Sequence, residues 1–197
     1  MELGFYRFAN KEPNKLAIVG PNEELVSRGE LLSKANKLTH ALRDLGLKKF
    51  DTVAVVLPNS VEYFVVYMAC LQAGFYLVPI NWHLAGPEIA YILEDSEAKA
   101  FIASGKNPDM EKACINAVSE ISFDKKGCIT IDELEGFRHI DDFTKSMPDE
   151  NPHDRSAGQV MNYTSGTTGK PKGVKRNLVE GDPDDVLSLF AMIFSFY

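Results

Sequence analysis

TVAVVLPNSVEYFVVYMACLQAGFYLVPI, residues 52–80, admits two readings, and the choice between them sets the fold class. From Val61 to Ile80 the run is mostly apolar and as long as a bilayer crossing requires, about 20 residues. Glu62 and Gln72 interrupt it, Gly74 is a helix-stopping residue, and Pro79 breaks what remains. A buried helix to about Ala73, capped by Asn59 and Glu62, then a buried strand from Tyr76 to Ile80, explains the same letters. Ahead of them, Thr52 to Leu57 is continuously apolar, as a strand covered on both faces of a sheet reads. The stretch is therefore read as strand, helix, strand, and not as a transmembrane segment.

The same alternation extends in both directions. Upstream, Leu16 to Val19 and Glu24 to Val26 read as short strands around Gly20-Pro21-Asn22. Ser27 and Glu30 have capping-box spacing, and Leu31, Ala35, Leu38, Leu42 and Leu45 then recur at helical intervals until Gly46. Downstream, Pro87 suits the first position of a helix ending near Asp95, and Lys99 to Ala103 reads as another strand. Strands alternating with helices imply right-handed crossovers and an α/β fold, a largely parallel sheet flanked by helices. From Ser104 to Arg155 the chain is more charged and punctuated. Asp109 to Ser119 reads as helix, Cys128 to Ile131 as strand, Asp132 to Gly136 and Asp141 to Lys145 as short helices, and PDENPHDR, 148–155, as a linker.

The chemistry is concentrated in MNYTSGTTGKPKGV, residues 161–174. Thr164, Ser165, Thr167 and Thr168 place hydroxyls around Gly166, and Gly169, Lys170 and Lys172 follow. Glycines let successive backbone N–H groups turn toward an anion, hydroxyls rotate to donate, and ammonium groups neutralise charge, so the segment suits phosphate oxygens. Lys175 and Arg176 add positive charge beside it. A Walker A loop needs four residues between its first glycine and the Gly-Lys pair; here only Thr167 and Thr168 intervene, and Pro171 takes the hydroxyl position. No G-x-G-x-x-G occurs either. Pro171 biases Lys170 toward extended backbone, so the loop is expected to run on as an arm and not to open into a helix. It follows the apolar run Val160 to Tyr163 and so leaves the carboxyl end of an expected strand, where open α/β sheets place ligands.

TSGTTGKPKGV, 164–174, resembles at every position the phosphate-loop signature of the adenylate-forming (AMP-binding) superfamily of acyl-CoA synthetases, luciferases and peptide-synthetase adenylation domains. Residues 27–104 are similar to the opening of the large domain of fatty-acyl-CoA synthetases, and Pro79 through Leu93 is particularly like bacterial fatty-acid-CoA ligases; little family character appears between Gly105 and Gln159. The resemblance implies an ATP-dependent acid–thiol ligase. A carboxylate, by this resemblance a fatty acid, attacks the α-phosphate of Mg-ATP, pyrophosphate leaves, and coenzyme A captures the acyl-adenylate. It also implies that Thr164, Ser165, Thr167 and Thr168 donate to ATP phosphates, that Gly166 and Gly169 permit close approach, and that Lys170 and Lys172 screen charge or anchor the loop. None of these is a nucleophile or base, so no catalytic residue is assigned.

Residues 1–197 are then expected to form the N-terminal portion of the AMP-binding domain. The magnesium-binding glutamate, the hinge and the lid domain with its lysine would lie beyond the loop, leaving the 197 residues alone without catalytic competence. An alternative reading makes the chain a non-catalytic nucleotide- or pyrophosphate-binding module or an inert remnant. Two positions depart from the family pattern: Phe50 stands where a glycine is usual before Asp51, and Arg176-Asn177 replaces a common Thr-His pair.

Composition narrows the classes further. A 197-residue chain with 45% hydrophobic residues can bury a core, and a formal charge of -7 argues against a nucleic-acid partner. Cys70, Cys114 and Cys128 form no C-x-x-C pair and fit buried thiols in a reducing, cytoplasmic setting; the four histidines have no metal-ligand spacing. The N-terminus lacks the basic start and apolar run of a secretory signal. Glu180, Asp182, Asp184 and Asp185 suggest a cation site, but Asp182 as N-cap, Pro183 as first helical residue and acids in the first turn account for them. Phe64, Tyr67, Met68 and Leu71 recur at the spacing of a core-facing helix stripe and are read as packing, not as an acyl tunnel; Trp82 and His83 sit where ligand loops start.

Overall fold

The computed structural model describes residues 4–164 and 170–186. The stretch 52–80 is strand, helix, strand: β3 (Thr52–Val56), α3 (Val61–Ala73) and β4 (Tyr76–Pro79). No described helix is long and apolar enough to cross a membrane. Gly74 ends α3 in the left-handed conformation at φ 74°, its N–H bonded to Cys70 O. The cap at the other end is neither Asn59 nor Glu62 but Ser60, whose hydroxyl accepts from Tyr63 N at 3.2 Å. Only Ser60 stands three residues before the N–H that needs an acceptor; Glu62 lies inside the first turn.

Before β3 come α1 (Phe5–Lys11), the antiparallel pair β1 (Leu16–Val19) and β2 (Leu25–Ser27), and α2 (Arg28–Asp44). The expected capping box opens α2: Ser27 Oγ accepts from Glu30 N at 3.2 Å, and the Glu30 carboxylate accepts from Ser27 N at 2.8 Å. After β4 follow α4 (Gly86–Asp95), β5 (Ala98–Ala103), α5 (Pro108–Glu120), β6 (Cys128–Thr130), β7 (Arg138–His139), α6 (Ile140–Thr144) and β8 (Gln159–Val160). Six described strands form one parallel sheet in the order β7-β6-β5-β3-β4-β8.

Both faces of that sheet are buried, which is why its strands lack a polar alternation. Val53, Val55, Leu77, Ala100, Ile102 and Ile129 pack with α2, α3 and α6, whereas Ala54, Val56, Val78, Phe101 and Ala103 pack with α4 and α5. Successive residues of one strand thus feed two different cores, as a two-residue side-chain period requires. Of the α3 stripe, Leu71 is buried and Tyr67 and Met68 are partly buried in packing, while Phe64 is 44% exposed.

One expectation from the charged middle segment is corrected. Residues 132–136 are not a helix: the Asp132 carboxylate turns back across the sheet end, accepting from Ser104 Oγ at 2.6 Å and Gly105 N at 2.7 Å, and the chain continues into β7. Residues 148–155 form no element, yet they are fastened across α2. Asn36 Nδ2 donates to Asp149 O at 2.7 Å and to Asn151 Oδ1 at 3.0 Å, and Arg43 pairs with Asp154 at 2.5 Å. Asn36 and Thr39 in turn accept from buried Gln72 Nε2, each at 2.9 Å, so one polar network joins α2, α3 and the 148–155 segment.

Candidate phosphate-binding hairpin

The expected single strand from Val160 to Tyr163 is two strands with different partners. Gln159 and Val160 pair with β4, and Met161 N donates to Leu77 O at 2.8 Å. Beyond Met161, β9 (Asn162–Thr164) leaves that alignment and pairs antiparallel with β10 (Lys172–Val174). The chain past Pro171 is extended, as the proline suggested. The hairpin therefore leaves the carboxyl end of β8, the outermost of the described strands on that side of the parallel sheet.

Of the expected phosphate-binding residues, Thr164, Lys170 and Lys172 are described; Ser165, Gly166, Thr167, Thr168 and Gly169 lie outside the described residues. Thr164 and Lys172 stand directly opposite one another in the register, and both are exposed, so a hydroxyl and an ammonium flank the mouth of the loop. Lys170 Nζ lies 4.9 Å from the Tyr91 ring centroid, and Lys175 Nζ lies 4.7 Å from that of Tyr76. Tyr76 Oη donates to Arg176 O at 2.6 Å, holding the chain that leaves the hairpin. The structure thus gathers Thr164 and the four basic residues Lys170, Lys172, Lys175 and Arg176 on one arm.

Residues that motif spacing alone did not single out fix this arm. Tyr163 Oη donates to Asp95 Oδ2 at 2.7 Å, and Tyr91 Oη donates to Pro171 O at 3.1 Å. Burial, then the Asp95 carboxylate, push the Tyr163 phenol well above its ordinary range, so it stays a protonated donor. The Tyr163 ring also explains Gly173: a Cβ there would come within 2.9 Å of Tyr163 Cζ and 2.3 Å of Met161 Cε. Partners 68 and 80 residues apart leave no local pattern in a sequence.

The acidic group near the end of the described chain serves structure. Asp182 Oδ1 accepts from Asp184 N at 2.8 Å, the expected N-cap bond. Asp184, 1% exposed, accepts from Tyr6 N at 3.0 Å and from Arg155 Nη2 at 3.1 Å, and Arg155 also bonds Asp182 Oδ2 at 2.6 Å. Arg155 lies 5.0 Å over the Tyr6 ring, and Arg7 pairs with Asp185 at 2.6 Å. Spacing in the sequence gave no sign of this clamp between α1 and residues 182–186. A cavity of about 730 Å³ beside it, lined by Arg43, Lys49, Arg155 and Asp182 among others, lies by the amino ends of the strands and does not include the hairpin. Among the described residues, no group of three or more His, Cys, Asp or Glu side chains could hold a metal ion.

Comparison with known proteins agrees with this architecture. A long-chain-fatty-acid–CoA ligase of Mycobacterium tuberculosis is 32% identical over 170 residues, covering 84% of this chain and 32% of the ligase. Gramicidin S synthase 1 of Brevibacillus brevis is 33% identical over 169 residues, covering 86% of this chain and 14% of the synthase. The chain thus spans about a third or less of the length of these relatives. The crystal structure of an anthranilate CoA ligase in complex with anthranoyl-AMP superposes with a TM-score of 0.72 at 24% identity, covering 92% of this chain and 34% of that one, a likeness of fold. The sequence model of the AMP-binding enzyme family matches residues 5–178, hairpin included, and the chain belongs to that family.

Proposed function

We propose that this chain is the N-terminal portion of an ATP-dependent acyl-CoA synthetase, and that its hairpin grips the β- and γ-phosphates of the nucleotide. The observation that carries the reading is the placement of Thr164 and Lys172 across the mouth of a glycine- and hydroxyl-rich loop at the carboxyl end of the sheet. In the reaction proposed, a carboxylate oxygen of the acid forms a bond to the α-phosphorus of ATP. The bond from that phosphorus to the bridging oxygen breaks, and its electron pair departs with pyrophosphate. The coenzyme A thiol then adds to the acyl carbon, its proton passes to solvent, and AMP leaves.

This chain's part is to receive the departing charge. Hydroxyls of Thr164, Ser165, Thr167 and Thr168 donate to phosphate oxygens, Gly166 and Gly169 let the backbone approach, and Lys170 and Lys172 balance the negative charge that builds on the leaving group. Magnesium, when bound, would neutralise phosphate charge; the described residues supply no His, Cys, Asp or Glu cluster to hold it. A fatty acid as substrate and a cytoplasmic setting are parts of the proposal. The first is supported by likeness to a fatty-acid ligase, the second by a reaction that consumes ATP and coenzyme A.

Carboxylate-dependent exchange of pyrophosphate into ATP tests the reading in two versions of the protein. A version extended past Tyr197 through the rest of the family's domains should show exchange with fatty acids, and the 197 residues alone should show none. Exchange by the 197-residue chain, or none by the extended version with any acid in a broad panel, would contradict it.

A further inference from the structure

Both ends of the loop are tied to a single turn of α4. On one side Tyr163 donates to Asp95, and on the other Tyr91 donates to Pro171 O while its ring carries the Lys170 ammonium. Tyr91 and Asp95 are four residues apart and share one helix face. The helix beneath them is fixed, because Ile89, Ala90, Ile92 and Leu93 are buried against the sheet.

A two-stranded hairpin with three residue pairs does not hold its own shape in water. Its orientation must come from what it is fastened to. Resting on the reading of the hairpin as a polyphosphate grip, we propose that Tyr91 and Asp95 are its positioning residues, with the Tyr91 ring seating Lys170 until a phosphate takes the ammonium. An anionic oxygen binds an ammonium more strongly than an exposed aromatic face does, so the seat yields to ligand without competing for it. Neither residue need touch the nucleotide.

The test uses the 197-residue chain with carbon-13-labelled lysine, followed by NMR, with inorganic pyrophosphate as the probe. The Lys170 side-chain signal, assigned by its loss in Lys170→Arg, should be displaced upfield by the Tyr91 ring in the wild type and in Tyr91→Phe. It should move to the free-lysine position in Tyr91→Leu, and in the wild type on saturation with pyrophosphate. In variants whose circular dichroism and melting match the wild type, Tyr91→Leu and Asp95→Ala should speed amide exchange across residues 162–164 and 172–174. Both should weaken pyrophosphate binding about fivefold, the scale of one charge-assisted hydrogen bond at a partly exposed site, and Asp95→Asn, which still accepts from Tyr163, should restore it. Wild-type exchange and affinity in both disruptive variants would overturn the proposal. So would a Lys170 signal that stays fixed while pyrophosphate binds. A wild-type chain that binds no pyrophosphate would count against the proposed function, while the ring shift and amide exchange would still decide the role of α4.

Discussion

Phe50 N donates to Gly74 O at 2.8 Å, and to do so Phe50 adopts the left-handed conformation at φ 76°. The bond joins the turn entering β3 to the residue ending α3, and it brings β3 into register with β4, where Thr52 meets Tyr76. The departure from a glycine seen in the sequence therefore falls on a position whose backbone favours glycine. The ring gains little in return, being 51% exposed with the Lys49 ammonium 5.2 Å from its centroid.

Phe50→Gly is accordingly expected to stabilise the chain by about 1 kcal/mol, the relief of left-handed strain less the extra freedom of glycine in the unfolded chain. Chemical denaturation with an unchanged slope would show it as a higher midpoint; a lower midpoint would mean the exposed ring packs better than its contacts indicate.

Gly158 behaves in the opposite sense. A Cβ there would lie 2.3 Å from Cys70 O and 2.5 Å from Phe75 O, both backbone atoms already engaged, Cys70 O accepting from Phe75 N at 3.2 Å and Phe75 O from Gln159 N at 3.0 Å. Gly158→Ala should cost about 2–4 kcal/mol and lower the melting temperature by several degrees. Wild-type melting would show that this edge of the sheet can shift.

The Arg155 clamp gives a pH signature. Burial raises the Asp182 carboxyl, but the Arg155 hydrogen bond and the Asp184 N–H outweigh it and hold it below the usual range. A depressed carboxyl contributes its stability above the unfolded value, about 3.9, and loses it as pH falls through the lower folded value. Arg155→Met should therefore flatten part of the stability loss below about pH 4 while lowering stability at neutral pH by about 2–3 kcal/mol, because Asp184 stays buried without its cation. Denaturation at pH 3 and pH 7 reads both effects; an equal loss at the two values would remove the clamp from the acid response.

The cysteines should be silent in the folded chain. Burial pushes the Cys114 thiol up to about 12 and the Cys128 thiol up to about 11, with smaller contributions from Asp132 and Asp124, and Cys70 is raised further still by burial. At pH 8 an alkylating reagent should label none of the three until denaturant is added, and then all of them. Rapid labelling without denaturant would show that the α3 and α5 cores open readily.

What the sequence made legible was whatever leaves a local trace. The α3 boundary at Gly74, the Ser27–Glu30 capping box and the doubly buried run at Thr52 are each written within a few neighbouring residues, and each appears in the structure. The loop motif, with the likeness of residues 27–104, pointed to the family whose model matches residues 5–178. The misses have a common physical cause. Asp132 to Gly136 has a helix-tolerant composition, but the Asp132 carboxylate is claimed by Ser104 and Gly105, 28 and 27 residues away. The run from Val160 to Tyr163 looks continuous, yet its pairing passes from β4 to β10 at Met161, and periodicity does not encode a change of partner. Tyr91 and Asp95 read as ordinary positions of an amphipathic helix, and only the fold brings them to the hairpin.

The central claim is that the hairpin's lysines hold the polyphosphate of a nucleotide, and calorimetric titration of inorganic pyrophosphate into the 197-residue chain tests it most directly. The account predicts saturable binding in the wild type that drops about tenfold or more when Lys170→Ala and Lys172→Ala are combined, as the loss of two charge-assisted contacts requires. Equal affinity in the wild type and a folded double variant would contradict it.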